Sequence, residues 1–169
     1  KKLANELDYL MVYEASGNGN LPEDHPDFFR EFNLAVERKG IFMQKIKTIG
    51  PGGHSGILSE KHQRKNAISQ AVQMMAAIDA LADYDKETTI NLEMVKGGRV
   101  NTVIAEDCEF AFDARFRFES ERARLKNAIH DILGTEFVPG VNVQDLGYVA
   151  DLPALPPNEN TQEFYELVR

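Results

Sequence analysis

Residues 109–118 read Glu109-Phe110-Ala111-Phe112-Asp113-Ala114-Arg115-Phe116-Arg117-Phe118. Phe110, Phe112, Ala114, Phe116 and Phe118 alternate with Glu109, Asp113, Arg115 and Arg117. A period of two belongs to an extended strand, whose successive side chains point to opposite faces. One face of this strand packs on helices, and the other meets solvent or a partner.

Downstream, Ser120 is the expected N-cap of a helix whose buried stripe is Leu125, Ala128, Ile129, Ile132 and Leu133, with Gly134 as its stop. A last strand runs from Val141 to Tyr148, before a proline-rich exit at residues 152–157. Upstream, Thr88 to Val95 reads as a strand with Ile90, Leu92 and Met94 on one side, and Gly97-Gly98 turns the chain. Residues 64–83 carry the clearest helical period, with Ile68, Ala71, Val72, Met75, Ile78 and Ala82 on one face. Leu34-Ala35-Val36, a turn over residues 37–40, and Ile41 to Ile49 read as a hairpin leading into a long strand. The order over residues 40–150 is therefore β-α-β-β-α-β. It predicts an α+β fold: a split βαβ (ferredoxin-like) four-stranded antiparallel sheet with two helices on one face.

The ends fall outside that unit. Leu7 to Tyr13 is a short apolar run typical of a buried strand, closed by Glu14 and the turn cluster of residues 15–20. Residues 21–33 mix prolines, acids and phenylalanines and read as an irregular or short helical insertion. Residues 150–169 read as a linker opening a helix from Asn160 to Arg169. Since these ends do not belong to the unit, the chain is expected to be an inserted domain carrying stubs of its host at both ends, and its opening on Lys1 rather than Met is expected of a processed or excised piece.

The 169 residues hold 43% hydrophobic and 27% charged side chains, a globular composition. A formal net charge of −8 with no basic stripe argues against a nucleic-acid partner, which is held by Lys and Arg displacing counterions. No apolar run approaches the ~20 residues that cross a bilayer, so no membrane partner is expected. The single cysteine, Cys108, forms no intrachain disulfide and fits a reducing, cytoplasmic setting.

The chain is poor in constellations that carry chemistry. His62 and His130 sit among charged residues and read as surface groups. His25-Pro26-Asp27 has a metal-like spacing but no adjacent second cluster of ligands. There is no HExxH, CxxC or GxSxG, and the glycine loop lacks the GK[ST] ending of a phosphate cradle. His54 stands apart because it follows a strand inside Gly50-Pro51-Gly52-Gly53-His54-Ser55-Gly56, an exposed and backbone-permissive loop.

An ordered set of short motifs runs through the chain: Tyr13-Glu14-Ala15, Arg38-Lys39-Gly40 before a strand, Gly53-His54-Ser55-Gly56 after it, Asn66-Ala67-Ile68 opening a helix, Gly97-Gly98, and Asp113-Ala114-Arg115. Together they resemble the lid, or dimerisation, domain of the zinc exopeptidases related to carboxypeptidase G, aminoacylase, acetylornithine deacetylase and succinyl-diaminopimelate desuccinylase. The resemblance implies four segments: 1–20 as the end of a first catalytic-domain segment, 21–39 as an insertion and hairpin arm, 40–150 as the lid, and 151–169 as a linker starting a second catalytic-domain segment.

By the same resemblance, Glu14 occupies the place of a ligand to one of two zinc ions, and carboxylate oxygens are ordinary zinc ligands. His54 matches a lid histidine that reaches across a homodimer and donates to the oxyanion forming on the scissile carbonyl. Arg115 matches an arginine suited to a substrate carboxylate. An ion pair with Asp113 or a neighbouring strand is an equal alternative for it. The family's lid asparagine aligns with Thr102, with Asn101 one residue earlier, and Asn101 is carried as a substrate contact. The remaining zinc ligands and the general base cannot be placed here in order, so the isolated chain is expected to be inactive and to bind no zinc itself. The parent would be a two-zinc peptidase or amidohydrolase acting on a peptide or N-acyl amino acid, at an amide bond next to a free carboxylate. The rival is a free-standing ferredoxin-like module that binds a ligand or regulates a partner without catalysis.

Overall fold

The computed structural model describes residues 37–56, 65–156 and 158–168. Strand β1 (Gly40–Ile49) lies at the centre of the larger sheet, and its burial alternates residue by residue. Phe42, Gln44, Ile46 and Thr48 are buried, while Ile41, Met43, Lys45 and Lys47 are half-buried on the other face. After the short β2 (Gly53–His54) come α1 (Ala67–Asp79), a 3₁₀ turn (Tyr84–Lys86) and β3 (Thr89–Gly97). The chain continues through β4 (Val103–Ile104), β5 (Asp107–Phe116), α2 (Glu119–Leu133) and β6 (Asn142–Leu152). The strand order is β3-β5-β1-β6, every neighbouring pair antiparallel, and β2 pairs with β4 in a separate two-stranded sheet. The architecture is the α+β, split-βαβ plan that the alternation predicts.

The decisive strand behaves largely as its pattern requires. Phe110, Phe112, Ala114 and Phe116 are fully buried and face α1 and α2, joined in one core by Phe42, Ile46, Met74, Ile78, Leu125 and Ile129. Phe42 is the hub: its ring meets those of Phe112 edge-on at 6.2 Å, Phe116 at 6.1 Å and Tyr148 edge-on at 5.9 Å. Burying each phenylalanine contributes roughly 1.5–3 kcal/mol. Phe118 departs from the pattern. The strand ends at Phe116, and Phe118 becomes the residue preceding α2, 51% exposed, with the Arg117 guanidinium 5.7 Å from its ring centroid. The helix thus begins at Glu119 rather than after Ser120, with no side-chain cap.

Helix α1 is shorter than its apolar pattern and rotated from it. Asn66 starts it, its Oδ1 accepting from Ile68 N at 2.8 Å and Ser69 N at 3.3 Å. The buried positions are Ala67, Gln70, Ala71, Met74 and Ile78, whereas Val72 is 52% exposed. Gln70 explains the rotation: its amide donates to Thr135 O at 2.9 Å and accepts from Val138 N at 2.7 Å, tying α1 to the segment after α2. A second buried polar group, Glu121 in the first turn of α2, accepts from Arg124 Nε at 2.9 Å and Thr88 Oγ1 at 3.1 Å.

The two edges of the sheet differ. On β6 the extra residues Leu146 and Val149 break the register with β1 twice, and such bulges blunt an edge. On β3 the register shifts once, between Leu92 and Met94, and the strand exposes Leu92, Met94 and Val95. Two compact units divide the chain, Lys39–Leu155 and a second formed by its two ends. Of the second, the described part includes helix α3 (Glu159–Val168), one residue displaced from the predicted start. Glu14, the 21–33 insertion and the Leu34–Val36 arm lie outside the described residues.

Candidate functional site

The loop after β1 is shaped by two glycines that no other residue replaces without strain. Gly52 has φ +69° and Gly53 φ +143°. A Cβ on Gly52 would lie 2.3 Å from Glu106 Cγ, so the main chain passes directly over that side chain. Gly50 N donates to Glu106 O at 2.7 Å, fastening the loop where β1 ends. The chain then runs as β2, with Gly53 opposite Ile104 and His54 opposite Val103. Ser55 fastens this β2–β4 pair twice, donating from its amide and its hydroxyl to Thr102 O, both at 2.9 Å.

His54 is exposed on β2, and its Nδ1 accepts a hydrogen bond from Gly56 N at 3.0 Å. Asn101 stands on the facing arm, exposed in the turn that Val103 N closes on Val100 O at 3.2 Å. The structure thus brings His54, on β2, and Asn101, in the turn leading into β4, to one small two-stranded sheet. Arg115 is not part of it. Arg115 lies opposite Ile41 and Thr89, whereas Asp107, where the chain passes from β4 into the larger sheet, lies opposite Ile49. Eight residues of strand separate them, roughly 26 Å. Arg115 Nε donates to Asp113 Oδ2 at 2.8 Å, so the ion-pair role foreseen as its alternative is realised in this chain.

A shallow cleft of about 370 Å³ opens beside the β2–β4 sheet, lined by Lys47, Ile49, Gly50, Pro51, Arg99, Glu106 and Asp107. Lys47 Nζ lies 3.1 Å from Asp107 Oδ2. Arg99 and Glu106 were not singled out from the sequence; Arg99 directly follows Gly97-Gly98, and Glu106 is the side chain over which Gly52 passes. Among the described residues no group of three or more His, Cys, Asp or Glu side chains could hold a metal ion. One carboxylate outside them, Glu14, does not make a zinc site, since zinc requires three or four protein ligands. The described part of the chain therefore does not fit zinc, and no chemical step is derived through it.

The arrangement offers an exposed imidazole on an anchored two-stranded sheet, beside a larger sheet whose β3 edge exposes Leu92, Met94 and Val95 and has no strand partner among the described residues. The sequence profile described as Peptidase dimerisation domain matches residues 36–141. Over 146 residues the chain is 27% identical to a "Probable carboxypeptidase" of Paracoccidioides brasiliensis (strain Pb18), covering 76% of this chain and 32% of that protein. A hydantoinase/carbamoylase family amidase from Burkholderia ambifaria superposes with a TM-score of 0.65 at 16% identity, covering 77% of this chain and 33% of the amidase. The aminobenzoyl-glutamate utilization protein from Klebsiella pneumoniae superposes with a TM-score of 0.51 at 13% identity, covering 68% and 30%. The chain spans about a third of the length of each of these proteins.

Proposed function

Because the chain belongs to the peptidase dimerisation domain family, we propose that it is the lid and dimerisation segment of a two-zinc hydrolase that cleaves an amide bond next to a free carboxylate. The family is generally metal-dependent, and the relatives named carboxypeptidase and amidase are hydrolases of amide bonds. In this reading the substrate is a peptide or N-acyl amino acid, and Glu14 contributes one zinc ligand in the parent protein. The other ligands and the base come from outside this chain, which is inactive alone. The single buried cysteine, Cys108, fits a cytoplasmic parent.

The observation that carries the reading is the open β3 edge. Leu92 is 40% exposed, Met94 41% and Val95 61%, on a nine-residue strand that pairs on one side only among the described residues. An apolar edge of that length is a template for pairing with another strand. Helix α1 packs against β3 and exposes Val72, which extends the apolar surface. Pairing β3 with its symmetry mate would make an isologous homodimer contact.

The same contact would carry the β2–β4 pair, whose β4 strand follows the end of β3 through residues 98–102 and whose β2 strand bears His54, toward the partner's catalytic domain. There an imidazole N–H stabilises the oxyanion developing on the scissile carbonyl, an interaction worth about 2.7–4 kcal/mol in comparable sites. Asn101, on the facing arm, adds a polar contact. Arg115 holds the substrate carboxylate in this reading, and its separation from His54 along the sheet favours contributions from different protomers.

Sedimentation equilibrium tests the association. The chain should sediment as a dimer at high concentration, and Val95→Lys should weaken the dimer at least about tenfold, roughly 1.4 kcal/mol. A folded chain that stays monomeric at every concentration would remove the proposal.

A further inference from the structure

We propose that the backbone amide of Gly56 is a positioning group that fixes His54 as its Nε2–H tautomer. The inference rests on the reading of His54 as a hydrogen-bond donor to an oxyanion. Its ground is one bond: Gly56 N donates to His54 Nδ1 at 3.0 Å. A backbone amide only donates, so Nδ1 must be the bare, accepting nitrogen, and the single hydrogen of the neutral ring sits on Nε2. A hydrogen on Nδ1 would oppose the amide hydrogen in the same gap.

The surrounding main chain holds this geometry. His54 is paired with Val103 through β2 and β4, and Ser55, between the ring's own residue and the donor, is bonded twice to Thr102 O. Glycine at 56 is what lets the amide come so close. A Cβ there would lie 3.2 Å from Cε1 and 3.3 Å from Nδ1 of the same ring. The consequence is chemical. An exposed imidazole in water exchanges between two neutral tautomers, and only one presents N–H on the edge away from its own backbone. The Gly56 bond selects that form before any substrate arrives, so the donor needs no rearrangement when charge develops.

Imidazole ¹⁵N NMR of the full chain reads the tautomer directly. The sequence has four histidines, so a His54→Ala variant identifies the resonances in question. In its neutral form, folded His54 should be more completely Nε2–H than the same neutral ring in the urea-unfolded chain. Gly56→Pro, which has no amide hydrogen, should return the ratio to the unfolded value, and Gly56→Ala, whose Cβ would press on the ring at 3.2–3.3 Å, should move it part of the way. A folded-chain ratio equal to the unfolded one, or shifted toward Nδ1–H, overturns the proposal. A Gly56→Pro chain that folds and keeps the native ratio also overturns it. If Gly56→Pro does not fold, the comparison of folded and unfolded parent chain decides alone. No step of this test involves catalysis. An unchanged kcat in a His54→Ala parent enzyme would therefore remove the oxyanion role while leaving the tautomer lock standing.

Discussion

Arg115 Nε lies 2.8 Å from Asp113 Oδ2, two residues back on β5 and on the same face of the sheet. Asp113 is largely buried, and its other oxygen accepts from Asn91 Nδ2 at 3.2 Å on the neighbouring strand. Arg115 is half-exposed, which leaves one side of the guanidinium free for a second anion. Arg115→Ala strips a buried carboxylate of its cation, and a loss of about 1 kcal/mol is expected given the exposed partner. Urea unfolding with an unchanged m-value checks it. No loss at all would mean that Asn91 alone satisfies Asp113.

Stability should fall in acid through two carboxylates. The Arg124 hydrogen bond, helped by Thr88 and Lys86, holds Glu121 below the ordinary carboxylate range against the opposing effect of burial. For Asp151 burial pushes upward, but the bonds from Lys126 at 2.6 Å and from Arg122 outweigh it and the net shift is downward. A folded pKa below the unfolded one contributes stability above the unfolded value, and that contribution disappears as pH falls through the folded value. Urea midpoints should therefore decline from about pH 5 downward. Glu121→Gln should lower stability at neutral pH and flatten that decline. A Glu121→Gln chain with an unchanged acid profile would refute the assignment.

Gly40 opens β1 where the ring of Phe116 crosses the main chain. A Cβ at that position would sit 2.1 Å from Phe116 Cε2 and 2.6 Å from Ala154 N. Neither a fully buried ring nor a backbone nitrogen yields easily, so Gly40→Ala should cost about 1–3 kcal/mol as an overpacking change. By comparison, Phe42→Ala empties the hub of the core and should cost about 3–5 kcal/mol. Thermal denaturation of both variants gives the comparison, and a neutral Gly40→Ala would contradict the packing described.

Gln44 is a polar side chain in the helix-facing row of β1, only 2% exposed. Its Nε2 donates to Asp145 Oδ1 at 3.0 Å, but its buried Oε1 has no hydrogen-bond partner. Asp145 Oδ1 also accepts from Gly147 N at 2.8 Å and keeps that bond without Gln44. Gln44→Met, of similar length, should therefore leave stability unchanged or raise it by about 1 kcal/mol, because it removes an unsatisfied group. A loss above about 2 kcal/mol would show that the Asp145 bond outweighs the orphaned oxygen.

The sheet was legible because Phe110, Phe112, Ala114 and Phe116 repeat at the strand period, and the order of elements then leaves few topologies. Apolar counting failed where polar groups are buried by specific bonds. It selected Val72 for the core of α1 and missed Gln70, whose amide bonds to Thr135 and Val138 set the helix rotation. It likewise carried the strand through Phe118, because hydrophobicity does not record that the chain turns into α2 one residue later. His54 stood out through its glycine loop, and Asn101 through an alignment of motifs. Their shared two-stranded sheet depends on Ser55 bonds to Thr102, which join positions 47 residues apart and leave no local trace in the sequence.

The claim that His54 serves a neighbouring protomer is tested most directly by complementation in the full-length parent protein. A His54→Ala variant and a Glu14→Ala variant should each lose most hydrolysis of an N-acyl amino acid. Mixing and exchanging them should restore about a quarter of the parent activity, since half of the dimers are mixed and each has one intact site. A mixture that forms heterodimers yet hydrolyses no faster than either variant alone would contradict the account.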